Sequence, residues 1–218
     1  MLRFLSFILS FLIGCQLYAE TVIDLPKPRQ KSSVSLEETL TKRRSVREFS
    51  SETLTLQEIS QLLWSAQGIT EPAGGRTAPS AGALYPLKVY LVAGGVKNLA
   101  PGVYRYDPFK HQIIKIKDGD LRGLLSEASL WQPWVRNAPV SFVITAVYEI
   151  TTKKYGERGV RYVHIEVGHV AQNMLLQAVA LDLGAVPVGA FYDSEVRKIL
   201  GVGDKEQPLY IIPVGKKR

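Results

Sequence analysis

Residues 140–148 constrain the fold of this chain more than any other stretch. They read Val-Ser-Phe-Val-Ile-Thr-Ala-Val-Tyr, apolar or β-branched at nearly every position, without the alternation of a strand that faces water on one side. Such a run belongs in the middle of a sheet covered on both faces. The cover is also legible. Residues 161–183 place Ile165, Val170, Met174, Leu175, Ala178 and Leu181 on or near one helical face, and Gly184 follows as the expected stop. The opposite side of that helix is also rather apolar, which suits burial on several sides.

The other elements fall around this pair. Ser35-Leu36-Glu37-Glu38 and Thr55-Leu56-Gln57-Glu58 both have the pattern of a capping box, in which a side-chain oxygen and a glutamate satisfy early helix N–H groups reciprocally. The first predicts a helix running into Lys42-Arg43-Arg44. The second predicts one with Leu56, Ile59, Leu62, Leu63 and Ala66 inward, ended by Gly68. Strands are expected at 87–93, in a hairpin at 103–107 and 112–116, in an extended segment at 185–190, and at 209–214. Short helices are expected at 121–128 and 194–200. Strands and helices mix without a strict βαβ rhythm, so the class is α+β: one central, mostly antiparallel sheet flanked by helices.

The chain has 218 residues, enough for one domain or at most two, and its 46% hydrophobic content argues against disorder. A formal charge of +7 suits a partner that carries phosphate. Nucleic acid is not expected, because no basic stripe interleaved with aromatics and no known reading module is present. Met1-Leu2-Arg3 and the apolar run 4–14 resemble a secretory leader too short to span a bilayer. Leu17-Tyr18-Ala19 before Glu20 reads as a cleavage site, and Leu12-Ile13-Gly14-Cys15 reads as a lipobox; both readings stand. The expectation is an exported, periplasmic or envelope-associated protein with a signal segment at 1–19, a polar tether at 20–34 and one domain at 35–218. Membrane contact is expected only through a lipid anchor at Cys15, the single cysteine.

Several chemistries are excluded by what is missing. Gly201-Val202-Gly203 follows a helix rather than a strand and reads as a turn, not a dinucleotide fingerprint. No Walker loop and no Gly-x-Ser-x-Gly elbow occur. His164 and His169 are five apart and point to different helix faces, and Glu166-Val167-Gly168-His169 is a lone Glu-x-x-His. No metal site is expected.

Four stretches carry the positive case. Residues 42–47 pack four cations and a hydroxyl (Lys42, Arg43, Arg44, Ser45 and Arg47) at a helix end. Residues 79–86, Pro-Ser-Ala-Gly-Ala-Leu-Tyr-Pro, and 187–191, Pro-Val-Gly-Ala-Phe, are small-residue segments suited to close approach of a flat ligand. The chain ends Pro213-Val214-Gly215-Lys216-Lys217-Arg218, a second basic cluster after a strand.

From about residue 40 onward these motifs strongly resemble the nitroreductase superfamily of FMN enzymes, and within it the SagB-type dehydrogenases, which include thiazoline and oxazoline oxidases. The landmarks are Arg-Arg-Ser-x-Arg-x-Phe at 43–49, Leu-Leu-Trp-x-Ala-Gln-Gly at 62–68, the 79–86 loop and Gly-Val-Tyr-x-Tyr-Asp-Pro at 102–108. Lys-Tyr-Gly-x-Arg-Gly at 154–159, Glu-x-Gly-His-x-x-Gln-Asn at 166–173 and Pro-Val-Gly-Ala-Phe follow in order. The resemblance implies a nitroreductase-like fold in an obligate-type homodimer with FMN between the subunits. It assigns Arg43, Arg44, Ser45 and Arg47 to the FMN phosphate and ribityl chain, with Lys216 and Arg218 closing that site; permanently charged, bidentate donors suit phosphate. It assigns Pro79, Ser80, Ala81 and Gly82 to the flavin, Leu84 and Tyr85 to the dimer interface, and the N–H groups of Gly189 and Ala190 to the pyrimidine edge. The implied reaction is ping-pong: NAD(P)H gives hydride to the flavin, and a small-molecule or peptide acceptor then takes it. In the azoline-oxidising relatives a Lys-Tyr pair removes a proton, and that pair corresponds to Lys154 and Tyr155.

Overall fold

The computed structural model describes residues 21–218, so the expected leader and its cysteine lie outside the described residues. Its centre is a seven-stranded antiparallel sheet. The strands are β1 (Val22–Asp24), β2 (Leu87–Ala93), β3 (Gly102–Asp107), β4 (Gln112–Asp118), β5 (Val140–Ala146), β6 (Leu183–Ala185) and β7 (Gln207–Lys216). Their order across the sheet is β1-β4-β3-β2-β5-β7-β6.

The apolar run from Val140 to Ala146 is β5, paired with β2 and β7, and all seven of its residues are buried. Val140, Phe142, Ile144 and Ala146 join the larger core, and Val143 joins the smaller core on the other face. The strand stops at Ala146 rather than continuing to Tyr148, because both partners run out there: Ala146 pairs with Leu87 and Gln207, the first residues of β2 and β7. The Val147 N–H turns to the Pro86 carbonyl, and Tyr148 begins a helix.

Helices cover both faces. On the larger core lie α2 (Leu56–Gln67) and α6 (Arg158–Ala180), with α1 (Leu36–Lys42) and α5 (Tyr148–Tyr155) packed against α6. On the other face lie α3 (Arg122–Ala128), α4 (Pro133–Asn137) and α7 (Asp193–Leu200), through Leu125, Val135 and Val196. Ile59, Leu62 and Leu63 of α2 are fully buried, and each such side chain contributes roughly 1.5–3 kcal/mol of hydrophobic stabilisation.

The two expected capping boxes differ. At α2 the box is complete: Thr55 Oγ1 accepts from the Glu58 N–H at 3.3 Å and the Glu58 carboxylate accepts from the Thr55 N–H at 2.7 Å. At α1 Ser35 caps Glu38 at 3.1 Å, but the Glu38 carboxylate pairs with Lys42 at 2.6 Å, leaving half a box. The long helix begins earlier and ends at Ala180. Asp182, at φ 55°, turns the chain, and Leu183–Ala185 joins β7 as an edge strand. Gly184 is therefore a strand residue rather than the helix stop. Any Cβ there would meet Val46 at 2.6 Å. From Val22 onward the stretch expected as a tether lies on the domain. β1 pairs with β4, Gln61 bonds both the N–H (2.7 Å) and the carbonyl (3.0 Å) of Arg29, and Ser60 donates to the Pro26 carbonyl.

Candidate functional site

The residues singled out from the sequence assemble into three groups. The first is the segment 43–50, which runs beside the end of the sheet. Ser45 bridges Ala185, Phe49 bridges Lys217, and the Ser50 N–H donates to the Lys216 carbonyl at 2.9 Å. Two basic clusters far apart in sequence thus lie side by side. Alternation along the extended segment separates its side chains. Val46 packs on Gly184. The Arg44 guanidinium folds back onto the carbonyls of Thr41 (3.0 Å) and Arg43 (2.7 Å) and lines a cavity of about 860 Å³ with Lys42, Leu175 and Asp182. Arg43, Ser45 and Arg47 occupy the alternate positions, and the Arg47 guanidinium lies 5.3 Å from the ring centre of Trp134 on α4. Ser45, Arg47 and Arg218 are exposed. Lys216 is committed to Glu58 at 2.6 Å. Burial opposes the Glu58 charge, but the bonds from Lys216 and Thr55 outweigh it and hold this carboxyl below the usual range.

The second group is at the opposite end of the sheet. Residues 81–83 form a single 3₁₀ turn in which Gly82 has φ 63°, followed by Ala83 at 54° and Tyr85 at 49°. Left-handed conformations cost a non-glycine residue about 1–2 kcal/mol, so this loop is held by its surroundings. The holding contacts come from helices. Ser80 donates to Glu166 of α6 at 2.5 Å and accepts from the Tyr85 N–H at 2.9 Å. Asn173, two turns further along α6, donates to the Thr77 carbonyl at 3.1 Å. Arg76 bonds Gln67 of α2 at 2.6 Å and lies 4.3 Å from the ring centre of Tyr85. A Cβ on Gly82 would sit 2.7 Å from the Tyr155 hydroxyl and 2.9 Å from Lys154 Nζ, so both members of the Lys-Tyr pair meet the loop at its glycine.

The third group is Gly189 and Ala190, exposed just after Val188 bridges Ile211 of β7. Among the described residues their N–H groups donate to no protein acceptor, and Gln132 holds the Ala190 carbonyl at 3.0 Å. Free, outward N–H groups and exposed arginines beside a serine are the donor set that an electron-rich ring and a phosphate require.

These groups do not converge within one chain. The basic segment lies at the Val140 end of β5, the 79–86 loop at the Ala146 end, and Gly189 midway beside Tyr210. The seven residues of β5 alone span about 20 Å.

Glu166, Arg76 and Asn173 were not assigned a role from sequence, although Glu166 and Asn173 sit inside a motif. The signal for Glu166 was a carboxylate among Val163, Val167 and Val170 on the helix face that packs inward. It is 2% exposed, and its second oxygen has no partner among the described residues. Burial, only partly offset by Ser80 and Arg76, pushes its carboxyl up to about 7. Among the described residues no cluster suits a metal. His164 meets Tyr148, and His111 is taken up by Ser60, Tyr106 and the Pro26 carbonyl.

Comparison with known proteins places the chain in a family. The model of the Nitroreductase family matches residues 40–216. A protein of Methanocaldococcus jannaschii that carries a provisional nitroreductase name is 50% identical over 184 residues, covering 84% of this chain and 92% of that protein. A crystal structure from Ralstonia eutropha, provisionally described as a nitroreductase, superposes with a TM-score of 0.80 at 30% identity, over 90% of both chains. The microcin B17-processing protein of Escherichia coli is 27% identical over 158 residues, 70% of this chain and 58% of that protein.

Proposed function

This chain belongs to the nitroreductase family of oxidoreductases, and from that premise we propose that it binds FMN between two copies of itself and passes hydride from NAD(P)H to a separate acceptor. The observation that carries the reading is the separation of the basic segment from the Gly82 loop by the length of β5. One chain supplies both halves of a cofactor site but does not bring them together; a two-fold partner would. The outer face of α6 is suited to that pairing. Ile165 is 50% exposed there, and Gly168 has open space where a side chain would stand.

In this reading Arg43, Ser45, Arg47 and Arg218 hold the phosphate, Pro79 to Gly82 line the ring, Leu84 and Tyr85 reach across the dimer interface, and Gly189 and Ala190 offer N–H groups to the pyrimidine edge. When bound, FMN supplies a ring that accepts and returns hydride; the protein supplies position and charge. The free N–H groups of Gly189 and Ala190 favour negative charge on that edge. The leader expected at residues 1–19 supports an exported enzyme, which cell fractionation tests.

A more specific reading, oxidation of an azoline in a peptide, is favoured by one observation: Lys154 and Tyr155 meet at Gly82. A lysine amine there would take the proton whose removal such a dehydrogenation requires. The similarity to the microcin B17-processing protein supports a peptide acceptor.

The experiment is sedimentation of the purified protein with its absorbance spectrum, followed by anaerobic addition of NAD(P)H. A flavin-coloured dimer that bleaches is expected. A monomer with stoichiometric FMN would overturn the shared site, and a colourless protein that takes up no FMN would overturn the cofactor.

A further inference from the structure

Ser80 uses its hydroxyl twice, as donor to Glu166 and as acceptor for the Tyr85 N–H, and so closes the loop across its left-handed residues Gly82, Ala83 and Tyr85. The carboxylate it grips is deeply buried on α6. The second oxygen of Glu166 and the Nε of Arg76 are both buried without a partner among the described residues. The positive charge of Arg76 acts on this carboxyl. Tyr85, and Tyr106 and Asp107 of β3, act on Arg76 in turn, while Lys154 and Tyr155 of α5 face Gly82. Among the described residues nothing else titratable on these elements acts on the Glu166 carboxyl.

We propose that Glu166 is a positioning residue for this loop: as a carboxylate it grips Ser80 and holds residues 79–85 in the shape that receives the cofactor, and as a neutral acid it lets that shape relax. The receiving role rests on the flavin reading above, whereas the grip does not. A hydrogen bond to an ionised acceptor is roughly twice as strong as a neutral one. Arg76 only donates, so a protonated second oxygen finds no acceptor there. A proton on the first oxygen instead competes with that of Ser80. The exchange needs only water as the source and sink of the proton. Because burial brings this carboxyl to about 7, the change of state falls near neutrality.

The test is amide hydrogen exchange of the segment 79–86 in the full chain between about pH 5.5 and 8.5, with the intrinsic rate divided out, alongside FMN titration followed by flavin fluorescence. In the wild type, protection of the Tyr85 amide should rise roughly five- to tenfold with pH, with its midpoint near 7, and FMN affinity should follow it. Glu166→Gln should be flat with pH. Ser80→Ala, which removes the grip from the other side, should be flat and low. A wild type without pH dependence overturns the proposal, as does a Glu166→Gln or Ser80→Ala protein that keeps it. Should Glu166→Gln fail to fold, Ser80→Ala decides alone. Titrating protection in a protein that binds no FMN leaves the grip standing and removes the flavin reading. FMN binding that ignores a titrating loop overturns the receiving role, and FMN binding with flat protection overturns the grip while the flavin reading stands.

Discussion

The two ends of the sheet solve different problems with different means. At the basic end, Arg44, Arg47 and Arg218 are exposed, and the segment that carries the first two is held by backbone pairing to Ala185 and Lys217. At the loop end, the backbone is strained and the holding is done by side chains from α2, α5 and α6, several of them buried. The first is an electrostatic surface that tolerates small shifts, since attraction to a phosphate falls slowly with distance. The second is a shape, kept by short contacts that a single substitution removes. The contrast implies that mutations at the basic end change cofactor affinity alike at every pH, whereas mutations at the loop end change chemistry and the pH dependence of binding.

The largest expected effect tests the loop end. Lys154→Ala should lower azoline oxidation by ~10²–10⁴-fold, as for a lost general base, while anaerobic flavin reduction by NAD(P)H stays within a few-fold. Equal loss of both half-reactions with FMN still bound would make Lys154 structural and blur the contrast. Next, at the basic end, Arg47→Ala should weaken FMN binding roughly 10- to 100-fold, the worth of a charged hydrogen bond. Arg44→Ala, whose guanidinium is turned onto its own chain, should weaken it far less. Matching losses measured by fluorescence titration would mean that the segment is not sided as described.

A third expectation concerns stability. The folded Glu166 carboxyl lies near 7, above its value of 4.5 in the unfolded chain, so the folded state holds the extra proton between those values. The wild type should therefore lose stability as pH rises from about 4.5 to 7, with a flat profile above, by on the order of 3 kcal/mol. Glu166→Gln should not show this loss in denaturant titrations, although its loop grip at pH 8 should be weaker. A parallel pH profile in the two proteins would contradict a buried, titrating carboxyl. The smallest effect returns to the basic end. Glu58→Gln frees Lys216 from its pair and should tighten FMN binding about two- to fivefold at low salt, a gain that screening removes. Weaker binding instead would show that the pair itself positions Lys216.

The same contrast decided what the sequence revealed. The basic end was legible because its cations are contiguous and the phosphate argument needs only their charge. The central strand, α2 and its capping box were legible from local pattern. By contrast α5 was missed, because Ile150, Thr151 and Thr152 favour extended structure and the helix is held by packing against α6. β1 has three residues and exists only because β4 offers an edge. Glu166 lies 86 positions from Ser80, and no spacing rule links a helix carboxylate to a loop hydroxyl at that distance. The helix end at Ala180 was missed because Leu183 continues the apolar pattern while answering to β7 instead.

The short edge strands have a consequence of their own. A long open edge invites another chain to add a strand and begin an aggregate. Here β1 and β6 have three residues each, and the segment after α1 already lies against β6 through Ser45. Beyond β1, the uncovered part of β4 carries Lys117 and Asp118, and the register of β3 against it shifts between Val103 and Tyr104. The protein is thus guarded against sheet-to-sheet growth on both flanks, which leaves the helical faces for the pairing of copies proposed above.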